Sequence, residues 1–233
     1  MRRLLLFVPL LWLQSASGQD PYPLPPREWP QPVMDRELFA MVLLERLEYR
    51  AQSGDDGWLW DGQAWYGGDR YRLWLKSEGE GEVGGRAESA DVQALLARRI
   101  SPYWHLQAGV REALRPRPSR TSGVVALQGL APYWLELDAS LFFGDGPVSG
   151  RVEAEYDQPL TQRWIVQPRL EATWSGDSDA ERGVRSGLGE IELGLRLRYE
   201  MRREFAPYAG VSWTHRVGAG SDSALVLGLR AWY

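Results

Sequence analysis

The chain has no cysteine among its 233 residues. Disulfides, zinc–thiolate sites and a cysteine nucleophile are therefore excluded, and cysteine usage says nothing about the redox compartment. Only two histidines are present, His105 and His215. No apolar run reaches 18 residues, so a transmembrane helix is excluded. The formal net charge is −4, and no basic surface points to nucleic acid. Catalytic spacings are missing too. There is no nucleophile elbow, and nothing in the spacing ties Ser140 or Ser212 to a histidine. The chain is expected to be neither an enzyme nor a nucleic-acid binder.

What is present is aromatic and alternating. Twelve Trp, ten Tyr and 25 Gly are many for this length, and both aromatic girdles and close-packed strands would use them. At the carboxyl end, Leu225, Leu227, Leu229, Ala231 and Tyr233 share one parity, and Val226, Gly228, Arg230 and Trp232 share the other. That period of two describes a strand with one apolar face. Soluble domains rarely finish on such a strand, because terminal residues fray. The closing strand of an outer-membrane barrel does finish this way, with alternate apolar residues facing lipid and an aromatic at the interface.

Taken in order, residues 1–18 read as a signal peptide: Arg2-Arg3, an apolar run from Leu4 to Leu13, then Ala16-Ser17-Gly18 for cleavage. Residues 19–37 carry Pro21, Pro23, Pro25, Pro26, Pro30 and Pro32. Proline fixes φ and lacks an N–H, so this stretch is expected to be an extended periplasmic tether. Residues 38–233 are expected to form an all-β, transmembrane, antiparallel up-and-down β-barrel in the outer membrane of a Gram-negative cell, with outer-membrane lipid around it.

Twelve strands are expected, near 39–52, 58–67, 70–79, 88–100, 103–114, 121–130, 133–143, 148–157, 162–174, 187–200, 206–216 and 223–233. Most reach the ten or so residues that a tilted strand needs to cross a bilayer. The segments at 58–67 and 121–130 alternate less clearly, which leaves ten strands as the alternative. Pro-Tyr recurs at Pro102-Tyr103, Pro132-Tyr133 and Pro207-Tyr208, and Pro159 marks a fourth site. Each is expected at a periplasmic turn, since proline at the first residue of a strand costs no ladder bond. The following Tyr would enter the interfacial girdle. The opposite connections, such as Ser175–Ser186, are expected to be longer and polar.

The inward parity carries both signs of charge. It includes Arg46, Glu48 and Arg50, Lys76 and Glu78, Glu136 and Asp138, Glu153, Glu155 and Asp157, Arg169 and Glu171, and Glu190, Glu192, Arg196 and Arg198. In a narrow barrel these must pair or stay wet. The bland expectation is a salt-bridged lumen that stabilises the wall. The functional one is a cation-attracting lumen, with Glu153, Glu155 and Asp157 as its best candidate, because three like charges on one face concentrate cations. His105 shares inward parity with Gln107 and Arg111, and His215 lies near the outer rim. Thioether ligands suit Cu(I), which brings in Met34 on the tether and Met41 on the first strand.

Several segments are similar to the copper resistance protein B family. They are Leu43-Leu-Glu-Arg-Leu-Glu-Tyr-Arg50, Trp65-Tyr-Gly-Gly-Asp-Arg-Tyr-Arg-Leu-Trp-Leu-Lys-Ser-Glu-Gly-Glu80, Asp91-Val-Gln-Ala-Leu-Leu-Ala-Arg-Arg-Ile-Ser-Pro-Tyr-Trp104, Leu106-Gln-Ala-Gly-Val-Arg111 and Pro207-Tyr-Ala-Gly-Val-Ser-Trp213. Their order and spacing hold from about residue 34 to 233. The resemblance implies an outer-membrane barrel that binds copper ions and serves copper tolerance, or copper movement across the outer membrane. A periplasmic copper oxidase or carrier is the candidate protein partner. Members of the family often carry a Met- and His-rich segment before the barrel. Here that place is taken by the short Pro-rich stretch, so any further site would be built from the barrel: Met41, His105, Glu153, Glu155 and Asp157, beside Met34.

Overall fold

The computed structural model describes residues 37–179 and 184–233. The expected signal peptide, most of the tether and Met34 lie outside the described residues.

Twelve strands run in strict up-and-down order: β1 Phe39–Gln52, β2 Gly57–Gly67, β3 Tyr71–Glu82, β4 Ala87–Ser101, β5 Trp104–Arg115, β6 Arg120–Ala131, β7 Leu135–Gly144, β8 Gly146–Tyr156, β9 Trp164–Ser175, β10 Gly187–Tyr199, β11 Phe205–Arg216 and β12 Gly220–Trp232. Gln158–Pro159 continues β8 in the same register against β9. Each strand pairs antiparallel with its neighbours, and β12 returns to β1 through Trp232↔Leu43 down to Ala224↔Gln52. Val42 and Tyr233 extend that seam by exchanging backbone hydrogen bonds of 2.8 and 2.9 Å. The sheet is closed and leaves no edge to aggregate.

The terminal strand expected to close the barrel does so. The two weakly alternating segments form full strands, Gly57–Gly67 and Arg120–Ala131, which removes the ten-strand alternative. At β2 the pattern is obscured because Trp58 and Trp60 lie on the outer wall, stacked at 5.2 Å, with Trp60 flat over Gly79. Aromatic residues ring both ends of the outer wall, Trp164 and Tyr199 at one and Trp174, Trp213 and Phe143 at the other. Between them the outward parity is aliphatic. Leu225 and Leu227 are 65 % and 61 % exposed, while Val226 between them is 1 % exposed. An apolar band of this extent belongs in lipid.

Three expectations about detail give way. Pro207 is not at a turn: it pairs with Leu229 inside β11, and Tyr208 points into the lumen, where it is buried. The inward pull is a hydrogen bond from its hydroxyl to Glu48 Oε1 at 3.1 Å, with its ring packed over Gly228. The strand expected near 133–143 begins only at Leu135, because Tyr133 and Trp134 sit in the β6–β7 turn. Both have left-handed backbone (φ 67° and 65°), and the turn turns both rings out to the surface. The connections opposite the chain ends are not uniformly long. Asp145 alone joins β7 to β8, between Gly144 and Gly146 at φ 143° and 131°, a backbone that favours glycine. Only the β9–β10 connection is extended.

The lumen has two halves. Trp74, Leu95, Ala97, Val124, Ala126 and Phe142, from β3 to β7, form an apolar cluster on one side. Charged side chains of β1 and β8–β10 fill the other.

Candidate metal centre

β1 departs from the period of two. Leu44 pairs with Gly62 of β2 and Arg46 with Asp61, so β1 advances two residues while β2 advances one. Against β12 the same slip falls between Leu44 and Leu47. Glu45 is the extra residue of a β-bulge, and a bulge re-aims side chains. Before it, Met41 and Leu43 face the lumen; after it, Arg46, Glu48 and Arg50 do. Glu45 and Arg46 therefore both point inward. Strict alternation from Arg46, Glu48 and Arg50 would have put Glu45 into lipid, which is why the sequence reading missed it. The available signal was a carboxylate at a lipid-facing position.

The bulge delivers Glu45 to a cavity of ≈ 610 Å³ at the barrel end where β1 begins and β12 ends, hereafter the terminal mouth. There Glu45, Glu136 of β7 and Glu155 of β8 each bring a carboxylate oxygen within 4.8 Å of the others. Some point then lies within about 2.8 Å of all three oxygens, near the 2.0–2.6 Å of metal–oxygen bonds. Glu136 and Glu155 are direct cross-strand partners, a pairing that like charges disfavour. Glu155 is compensated by Arg169 Nε at 2.7 Å. Among the described residues, neither Glu45 nor Glu136 has an ion-pair partner. Glu45 accepts a hydrogen bond from Gln63 Nε2 (3.2 Å), and Trp74 Nε1 donates to Gln63 Oε1 (2.8 Å). Ring contact of Trp74 with His105, at 5.9 Å between centroids, continues this chain along the wall.

Of the residues expected to meet a metal, Met41, His105, Glu153 and Glu155 line this one cavity. Asp157 does not, and is held by Arg198 at 2.5 Å. The face of Glu153, Glu155 and Asp157 is salt-bridged, as in the blander of the two expectations. Glu153 is paired with Arg151 (3.0 Å) and Arg169 (2.7 Å), and Glu171 with Arg169 (2.8 Å). Three carboxylates thus converge, and one imidazole and one thioether line the same cavity outside that trio. Carboxylate and imidazole suit Cu(II), and the thioether suits Cu(I).

On the cavity's own lining, and deeper in the lumen, charges neutralise each other across the barrel. Lys76 of β3 pairs with Asp138 of β7, and Glu78 of β3 with Arg151 of β8. Arg196 of β10 meets Glu48 of β1 at 2.6 Å, and Arg50 of β1 meets Glu192 of β10 at 3.2 Å. Arg46 pairs with Asp61 at 2.9 Å. At the other end, the distal mouth, Glu190 pairs with Arg216 at 2.6 Å beside a second cavity of ≈ 180 Å³. His215 is there too, stacked on Trp213 and hydrogen-bonded to Ser221 at 2.7 Å, away from the lumenal carboxylates.

Comparison with known proteins agrees on fold and family. The NanC porin covers 80 % of this chain and 98 % of its own at a TM-score of 0.56 and 12 % identity, which speaks to the barrel alone. Copper resistance protein B of Escherichia coli is 44 % identical over 193 residues, 82 % of this chain and 65 % of that protein. The chain thus spans somewhat less than two thirds of that relative. The copper resistance protein B homolog of Pseudomonas syringae pv. tomato is 39 % identical over 213 residues, 86 % of this chain and 72 % of that protein. The family model described as copper resistance protein B precursor (CopB) matches residues 38–233, nearly the whole described barrel. This chain belongs to the copper resistance protein B family.

Proposed function

We propose that this protein acts in copper resistance by binding copper ions in the terminal-mouth cavity, and that this mouth faces the periplasm. The observation that carries the reading is the carboxylate trio Glu45, Glu136 and Glu155, in a cavity that also offers Met41 and His105. Among the described residues no cation lies within ion-pair distance of Glu45 or Glu136, although Arg230 lines the same cavity. The sidedness is supported by the signal-peptide and tether readings of residues 1–18 and 19–37, under which the mouth where β1 begins and β12 ends would face the periplasm. Copper exchange would then be with a periplasmic copper oxidase or carrier. No step of this reading needs catalysis.

Titration of Cu(I), Cu(II) and Zn(II) into the folded mature chain tests it, beside a version lacking residues 19–37. Copper is expected to bind more tightly than zinc and to survive the deletion. Glu45→Gln with Glu136→Gln is expected to weaken Cu(II) at least tenfold, the scale on which even outer-shell partners of metal ligands act. Binding lost with the tether would move the site to Met34 and its neighbours. A second reading, a structural or general small-solute barrel, draws support from the cross-lumen ion pairs; equal affinity for copper and zinc would favour it.

A further inference from the structure

The two cavities share no lining residue, and a layer of ion-paired side chains lies at the floor of the terminal cavity and below it. We infer that this layer is a septum that closes the barrel to through-passage, so that the terminal cavity is a blind cup loaded and emptied from one side only. The ion pairs that form it join strands far apart around the wall. Glu78–Arg151 and Lys76–Asp138 tie β3 to β8 and β7. Glu48–Arg196 ties β1 to β10. Between these anchors Glu153, Arg169 and Glu192 continue the contacts through β8, β9 and β10. Beside them packs the apolar cluster of β3–β7, over which Arg111 lies 4.4 Å from the centre of the Phe142 ring.

Burial provides the second line of argument. Side chains lining an aqueous pore remain accessible to water, whatever they pair with. Glu48, Arg169, Arg196 and Arg198 are 2 %, 4 %, 1 % and 2 % exposed, although all project into the lumen. A gap too narrow for one water cannot pass a hydrated cation. Opening it would separate buried, hydrogen-bonded charges, and leaving one partner bare in a dry interior is what makes such a rupture costly. The septum therefore does not breathe open cheaply.

The consequence for copper rests on the function proposed above: a cation in the terminal cup returns through the mouth by which it came. That makes the barrel a periplasm-facing receptacle, not a conduit.

Conductance in planar lipid bilayers bathed in KCl tests the septum without copper, so failure here is separable from failure of copper binding. The full mature chain is expected to insert without ion-conducting steps. The Lys76→Ala/Arg151→Ala variant removes two of the cationic ties and leaves Asp138 and Glu78 facing the gap. It is expected to conduct, with selectivity for cations. Retention of the heat-dependent gel shift of a folded barrel shows that the variant is not merely misfolded. Steady conductance by the unaltered chain overturns the inference. So does a folded variant that stays silent, because closure would then not depend on these pairs. Arg169→Ala serves as the second variant if the first does not fold, with the same two outcomes.

Discussion

Replacing Arg169 with Met would remove the cation on which the charged half of the lumen converges. Its guanidinium meets Glu153 at 2.7 Å, Glu155 at 2.7 Å and Glu171 at 2.8 Å, with Glu192 at 3.8 Å, and its side chain is 2 % exposed. Methionine matches the stem in bulk and flexibility, so the change isolates the charge. Glu153 retains Arg151 and Glu192 retains Arg50. Glu155 and Glu171 retain no ion-pair partner among the described residues. Breaking a buried pair from one side costs about 3–5 kcal/mol, because the orphaned charge stays in a low-dielectric site. With a urea slope of about 2 kcal/mol/M, the unfolding midpoint in lipid vesicles should fall by roughly 1.5–2.5 M. Arg169→Lys keeps the charge and loses the planar fork, and should cost about half as much or less. The assay is the urea dependence of tryptophan fluorescence, read beside gel mobility. A drop below about 0.5 M for Arg169→Met would refute the reasoning and mean that water reaches these carboxylates.

Deleting Glu45 removes the extra residue of the bulge and joins Leu44 to Arg46 in unbroken alternation. The barrel should still fold, as read by gel mobility, while Cu(II) affinity falls at least tenfold; unaltered affinity would place the metal elsewhere. Leu227→Arg puts a charge on the lipid-facing side of β12, and near mid-bilayer such a change costs about 2–4 kcal/mol. Its urea midpoint should fall by roughly 1–2 M, and a midpoint unchanged from wild type would contradict the assigned face. Tyr208→Phe loses the hydrogen bond to Glu48 and should cost about 1–3 kcal/mol, since a buried carboxylate loses a donor; a stabilised variant would show that Glu48 is fully satisfied by Arg196 and Arg50.

Much of the architecture was legible because a barrel wall is periodic. Each strand separates a lipid face from a lumenal face at every second residue, so Leu225–Tyr233 declared itself a closing strand and Glu190–Tyr199 a wall strand without reference to the rest of the chain. The aromatic turns at Pro102-Tyr103 and Pro132-Tyr133 were local signals of the same kind. The pairing of β12 with β1 and the full set of twelve strands followed from that bookkeeping. His105, Glu153 and Glu155 could also be put inside by parity, whereas Met41, which shares the parity of Glu45, could not; all four line one cavity.

The tertiary structure decided what parity cannot carry. A single inserted residue shifts the phase of β1, and because both lipid and the apolar part of this lumen accept leucine, Leu43 and Leu44 hide the shift. Glu45 thereby joins Glu136 and Glu155 from strands that are distant around the wall. The charges of Glu153, Glu155 and Asp157 read alike in the sequence, yet their arginine partners lie on β8, β9 and β10 and neutralise them. Glu48 and Arg196, 148 residues apart in the chain, meet across the lumen. Whether the barrel is open depends on such meetings. They are set by closure and stagger of the whole sheet, and no local pattern encodes which side chains will span it.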